Sequence, residues 1–248
     1  MMGRLAQISR HPIKSHGRER LARTFLRPAE CLPWDRHWAV AHESANLVPG
    51  WNPCANFAIG SKAPAVTAIT AQLDELESMV TLSAPGMPDL AFRPDDPSDL
   101  PRFLDWIRPL HPANRSAPNR IAKAGRGMTD TDYPSVSLLN LGSNAALSRE
   151  MGMSLSADRW RANLWIDGMP EWVERDWIGR EIAIGDAVLQ VVEHIVRCRA
   201  TMANPETGVI DADTLAALKR GHGHQEMGVY AKVIKGGSIT KGDTVTVL

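Results

Sequence analysis

Cys198 stands between Arg197 and Arg199, at the end of the apolar run Ala187 to Val196 and just before the turn-forming stretch "ANPETG". A thiol acts as a nucleophile or soft-metal ligand through its thiolate, and guanidinium groups held close to it favour that form. Strict strand alternation would aim both arginines away from the sulfur, so two readings stand side by side. Cys198 is either a reactive thiol at a strand end, where sites are often placed, or an inert buried one.

The other candidates for chemistry are weaker. Cys31 and Cys54 bring the cysteines to 3, an odd number without a C-x-x-C pair. That argues against a disulfide framework or a structural zinc site and points to a reducing cytoplasm. His222 and His224 in "GHGHQE" have strand-ligand spacing but sit in a Gly-rich loop with no third ligand. "GRG" and "GHG" continue as neither phosphate-binding glycine motif. The tryptophans group as Trp34, Trp38 and Trp51, then Trp160, Trp165, Trp172 and Trp177, with no basic stripe beside them, which fits core packing better than base stacking.

Elements able to position Cys198 are mostly short strands. Leu5–Ser9, Leu21–Leu26, Arg36–His42, Val66–Ala71 and Met79–Ala84 have β character, with Pro or Gly near most of them. Ser98 is a possible N-cap for a helix whose Leu100, Phe103, Leu104 and Ile107 share a face and which ends at Pro109. Residues 111–132 are polar, without either periodicity, and form a connection or a functional loop. After them come the apolar run "SVSLLNL", a helix over Ser143–Met151, the strand "ANLWI", and two segments broken by Gly-Asp, "REIAIGDAVLQVV" and "SITKGDTVTVL". Gly-Asp between alternating apolar runs signals a tight hairpin. The pattern predicts a mainly β fold with peripheral helices, an α+β barrel.

Composition narrows the partners. Lys and Arg balance Asp and Glu at 28 each over 248 residues, so no global field draws nucleic acid or an acidic membrane. No stretch approaches the roughly 20 apolar residues of a membrane span, and the N-terminus lacks a signal-peptide core. We therefore expect a soluble protein with neither a nucleic-acid nor a membrane partner.

"RCRATMANPETG", a helix, and the closing "MGVYAKVIKGGSITKGDTVTVL" resemble the MOSC domain, named for the C-terminal domain of molybdenum cofactor sulfurase. "HPIKS" and "DRHW" resemble the Tyr-Pro-Ile-Lys-Ser and Asp-Arg-x-Trp elements of the MOSC N-terminal β-barrel region. The resemblance divides the chain into an N-terminal β-rich region over 1–110 and a MOSC β-barrel domain over 111–248. "RWRAN" is similar to the family's Arg-Pro-Asn element with alanine for proline. Two departures stand out: His11 replaces the usual Tyr, and no Thr-x-Arg stretch follows "DRHW" in "NLVPGWNPCAN".

By this pattern the chain looks most like the amidoxime-reducing MOSC proteins, and the resemblance implies a molybdenum cofactor and no pyridoxal phosphate. Cys198 matches their molybdenum-ligating cysteine. Lys14, Ser15, Arg36, Arg161, Asn163 and Arg197 would hold the anionic pterin, and Arg and Lys suit that task as forked and point-charge donors. Asp132, as a catalytic group, and Tyr133, on the cofactor, would come from the loop that approaches the metal. The implied activity is reduction of small N-hydroxylated or N-oxide substrates. A ferredoxin-like extension is not expected after Leu248, so electrons would come from a separate donor protein of flavin, iron-sulfur or haem type. The alternatives are a sulfur-carrier or cofactor-delivery protein using a Cys198 persulfide, and a degenerate MOSC barrel binding another anion.

Overall fold

Apolar residues at every second position, interrupted by Gly, Pro or Gly-Asp, favour short strands whose inward side chains share one face. In the computed structural model, which describes residues 1–248, sixteen strands and three α-helices form. In chain order they are β1 (Met2–Arg10), β2 (Ile13–Lys14), β3 (Glu19–Leu21), β4 (Arg23–Leu26), β5 (Trp38–His42), β6 (Thr70–Asp74), β7 (Met79–Ser83), β8 (Leu90–Phe92), α1 (Leu100–Ile107), β9 (Pro118–Ala122), β10 (Val136–Asn140), α2 (Leu141–Met151), β11 (Leu164–Asp167), β12 (Glu181–Ile184), β13 (Ala187–Val196), α3 (Thr214–His222), β14 (Glu226–Lys235), β15 (Gly237–Thr240) and β16 (Thr244–Val247).

Seven strands close into a barrel in the order β11-β10-β14-β13-β12-β16-β1, sealed by antiparallel pairing of β1 with β11. β3 adds to the outside edge of β1. Closure removes free sheet edges, and the interior is filled by side chains such as Leu5, Ile8, Leu138, Leu164, Leu189 and Val229. The fold is mainly β with helices outside, as the patterning predicts. Because β1 is a barrel strand, pairing in the sheet crosses residue 110 and ties the N-terminus to the later strands. Around a second core containing Ile13, Trp38, Phe92, Phe103 and Ile107 lie the sheets β2-β5-β9 and β6-β7-β8, with α1 packed against them. A third core outside the barrel joins α2 and α3 to Trp160, Trp165 and Ile195.

Several local expectations change. Val66–Ala71 begins as a 3-10 helix, Pro64–Ala68, because Pro64 at its first position presets a helical φ, and only then becomes β6. The stretch Leu21–Leu26 breaks at Ala22 into β3 and β4, which pair with β1 and β15 respectively. Gly185-Asp186 does join β12 and β13 as a hairpin. The second Gly-Asp does not make one: β15 leaves to pair with β4, while β16 enters the barrel between β12 and β1. Asp99 rather than Ser98 occupies the cap position of α1. The strand leading to Cys198 is buried on one face only. No helix is long and apolar enough to cross a membrane.

Candidate functional site

The "DRHW" turn is built on backbone hydrogen bonds that fix Arg36 at a φ of 51°, a left-handed conformation that costs a non-glycine residue energy. The Arg36 N–H donates to the His11 carbonyl at 2.7 Å, and Met128 N–H donates to the Arg36 carbonyl at 2.7 Å. Next to it Asp35 is fully buried; its Oδ1 accepts from the His11 backbone at 2.8 Å and its Oδ2 from Arg36 Nη1. Burial alone would raise the Asp35 pKa, but Arg36 and His11 outweigh it and hold the carboxyl well below its usual range. His11 is pushed down to about 3 by burial and by Arg161 and Arg36, so it is neutral.

Arg161 ends a short 3-10 turn, Ala157–Trp160, at a φ of 50°. Its Nη2 donates to the Gly17 carbonyl at 3.1 Å, while its Nη1 is buried with no partner. Arg36 reaches the Arg161 carbonyl through Nη2 at 2.9 Å, so the two guanidinium groups share one locality. Burial first, then Arg36 and Arg18, push the Arg161 pKa down to about 9. A buried guanidinium crowded by its own kind, with an idle donor, is an unfilled demand for an anion.

Register shifts in the β13–β14 pairing between Val191 and Glu193, and again between His194 and Val196, turn the end of β13. Ile195 consequently packs in the helical core outside the barrel, and the chain runs on into Arg197 and Cys198 at the cleft. Arg197 donates to the Met227 carbonyl through Nε at 2.8 Å and Nη2 at 2.6 Å, and to the Trp160 carbonyl at 3.0 Å. It leaves a positive charge in the cleft without a carboxylate partner, lying over the Trp160 ring at 5.5 Å; burial lowers its pKa to about 10. The Cys198 carbonyl accepts from Thr201 Oγ1 at 3.0 Å, and its thiol is exposed. Arg199 is exposed and does not line the cleft, so only one of the two flanking arginines shares it with the thiol.

The cleft, about 830 Å³ including its open mouth, is lined by Lys14, Ser15, Arg36, Arg161, Asn163, Arg197 and Cys198, seven of the residues singled out in the sequence. Lys14 is buried on β2, with Nζ donating to the Met128 carbonyl at 2.8 Å and to Asp130 Oδ1 at 2.5 Å. The Asn163 amide is engaged in the fold: Oδ1 accepts from Ser137 N at 3.1 Å and Ser137 Oγ at 2.9 Å, and Nδ2 reaches the Ser9 carbonyl at 3.3 Å. It braces the seam of β1, β10 and β11 rather than offering its oxygen to a ligand.

Asp132 and Tyr133 lie elsewhere. Asp132 is exposed, and the Tyr133 hydroxyl donates to Glu193 at 2.6 Å with Lys232 over its ring at 4.5 Å. Asp130 stands in the cleft instead, kept below the usual carboxylate range because Lys14, Cys54 and Arg36 outweigh its desolvation. Cys54 also lines the cleft, a position that no motif in its sequence neighbourhood signals. Its thiol donates to Asp130 Oδ1 at 3.0 Å, and burial followed by Asp130 pushes its pKa up to about 11. The set-aside histidines act structurally: His222 packs on Trp172 at 4.1 Å, and His224 Nδ1 accepts from the Glu226 N–H. No group of three or more His, Cys, Asp or Glu side chains is arranged to hold a metal ion, so any metal in the cleft would lean on Cys198 and on ligands brought with it.

Two family models match the chain in succession. The MOSC N-terminal beta barrel domain model matches residues 2–104, and the MOSC domain model matches residues 128–246. Among solved structures, the YUAD protein from Bacillus subtilis is 12% identical with a TM-score of 0.48, over 99% of this chain and 94% of its own. YiiM from Geobacillus stearothermophilus is 16% identical with a TM-score of 0.35, over 46% of this chain and 53% of its own. YiiM from Escherichia coli is 19% identical with a TM-score of 0.34, over 46% and 53%. No curated protein matches the chain.

Proposed function

From the premise that this chain belongs to the MOSC family, with the N-terminal barrel domain and the MOSC domain in succession, we propose that it is a molybdenum-cofactor oxidoreductase that removes oxygen from small N-hydroxylated or N-oxide compounds. The observation that carries the reading is the unpartnered, buried Arg161 Nη1 in the same cleft as the exposed Cys198 thiol. Five cations line that cleft, Lys14, Arg36, Arg159, Arg161 and Arg197, and three of them are engaged by carboxylates: Arg36 by Asp35, Lys14 by Asp130 and Arg159 by Asp211. Two positive charges are thus left over, which suits a group that is anionic at its phosphate end.

In this reading Cys198 supplies the thiolate ligand, and Arg161, Arg197 and Arg36 hold the anionic pterin. The cofactor, when bound, supplies two-electron redox chemistry at the metal. The overall change is R₂N–OH + 2e⁻ + 2H⁺ → R₂NH + H₂O, with both electrons delivered by a separate donor protein of flavin, iron-sulfur or haem type. The Cys54 thiol and the ionised Asp130 that accepts its hydrogen bond form a donor–acceptor pair on the cleft wall. Cys54 holds its proton at neutral pH, and its hydrogen bond to Asp130 keeps that proton at a defined place.

The exposure of Cys198 also fits a sulfur carrier with a persulfide on that thiol. The carrier has no need of a buried, uncompensated guanidinium beside it, so the reductase reading accounts for more of the cleft. The test is reduction of an aromatic amidoxime by protein purified from a host that makes molybdenum cofactor, with chemically reduced viologen as electron source. Wild type turns over and Cys198→Ala does not; full activity in Cys198→Ala, or none in molybdenum-loaded wild type, overturns the reading.

A further inference from the structure

A second recess, about 580 Å³ including its open mouth, adjoins the cleft and shares Cys54 and Ile59 with it as common wall. Its floor is apolar, made by Phe57, Ala58, Ile59 and Ala63. Lys62 and Arg115 stand on its lining, and no carboxylate does. A concave recess with an apolar body and a few convergent polar groups is the usual form of a small-molecule site. Here the uncompensated charge is all positive.

Two imidazoles complete the lining, and their tautomers follow from their partners. His42 Nε2 lies 2.7 Å from the Ala55 carbonyl, which can only accept, so the proton is on Nε2. Nδ1 is then a bare lone pair, and it is buried without a partner. His16 Nδ1 likewise donates to the Lys14 carbonyl at 2.9 Å, leaving its Nε2 to accept from His111 Nε2 at 3.2 Å. Burial keeps both of these imidazoles neutral, His111 at about 4 and His16 at about 3. His111 Nδ1 is therefore a second free acceptor. The recess thus asks for an apolar body, an anionic group for Lys62 and Arg115, and an N–H or O–H donor for an imidazole.

We infer that this recess is the substrate pocket beside the cofactor cleft, and that it takes N-hydroxylated molecules whose apolar body carries a carboxylate. The inference rests on the reductase reading for the reaction, but the recess and its charge preference do not depend on metal. The N–O–H group is itself the donor that an imidazole lone pair lacks, and the wall shared through Cys54 and Ile59 places the pocket next to the thiol-bearing cleft.

The test uses two probes of one size, 2-naphthoate and the uncharged 2-naphthamide, titrated calorimetrically into the full chain with and without molybdenum. Naphthoate binds at least about tenfold more tightly than naphthamide, and Lys62→Ala/Arg115→Ala erases the ratio while leaving naphthamide affinity in place. Ala58→Leu, accepted for the test only if its melting curve matches wild type, narrows the recess and weakens both probes. Equal binding of the two probes, or a ratio unchanged in the double variant, overturns the inference. In molybdenum-loaded protein, a carboxylate-bearing amidoxime also shows a lower KM than its amide counterpart, and the double variant removes that difference. Charge-selective binding in a chain that never carries molybdenum would sink the reductase reading and with it the substrate assignment. Molybdenum-loaded protein that binds the two probes equally would sink the pocket alone.

Discussion

Arg161→Met should stabilise the metal-free protein while abolishing its response to anions. The guanidinium is buried, has no carboxylate of its own, and its pKa falls from 12.5 to about 9. Since about 9 still lies above neutral pH, the group remains charged and its cost is fully present at pH 7. At about 1.36 kcal/mol for each tenfold change, the penalty is on the order of 4–5 kcal/mol as an upper bound, reduced by solvent in the cleft mouth. Against it stands one hydrogen bond to the Gly17 carbonyl at 3.1 Å, which as a charged bond contributes about 1.5–3 kcal/mol. The net is a gain of roughly 1–3 kcal/mol on removing the charge, or about 2–12 °C in Tm for a chain of this size. Thermal melts with and without phosphate read both effects: wild type gains about 2.7 kcal/mol at a phosphate concentration one hundred times its Kd, and the variant gains none. A variant that melts lower than wild type and keeps its phosphate response would refute the reasoning, making Arg161 a structural donor to Gly17.

Three further outcomes follow from other residues. Asp35→Asn leaves Arg36 without its buried partner and should cost about 3–5 kcal/mol in urea unfolding. Because the Asp35 pKa is depressed on folding, the stability it provides is present above its unfolded value of 3.8 and lost as pH falls through the folded one, so the variant flattens the acid limb of stability against pH. Glu174 is fully buried, accepts from Ser143 Oγ at 2.8 Å, and has its pKa raised by burial, so its contribution runs the other way: stability declines as pH rises above 4.5, and Glu174→Gln removes that decline in pH-dependent melts. Gly208 has a φ of 72°, and a Cβ there would lie 2.6 Å from Ala65 Cα; Gly208→Ala should lower Tm and quicken proteolysis of the loop that follows Cys198.

The parts of the fold legible in the sequence are those whose signal is local. The Gly185-Asp186 hairpin is one, because two alternating strands that flank a short turn have only each other to pair with. The turn at Gly242-Asp243 carries the same dipeptide, yet β15 finds β4 and β16 finds β1, choices set by closure of the barrel over more than two hundred residues of separation. The site divides in the same way. Lys14, Arg36, Arg161 and Cys198 sit in recognisable short motifs and converge on the cleft. In "MTDTD" nothing local separates Asp130 from Asp132: both lie in a stretch without periodicity, and only the pairing of Lys14 Nζ with Asp130 selects the first. Cys54 falls in the segment where a Thr-x-Arg element is absent, and its place beside Asp130 depends on contacts across 76 positions of chain.

The central claim is that the cleft holds an anionic molybdenum cofactor through Cys198 and the guanidinium groups. Molybdenum and extractable pterin should be measured together on wild type, Cys198→Ser and Arg161→Met purified from a host that makes the cofactor. The account predicts close to one molybdenum and one pterin per wild-type chain, loss of molybdenum in Cys198→Ser, and loss of both in Arg161→Met. Wild type without molybdenum or pterin, or Cys198→Ser with its molybdenum intact, would contradict it.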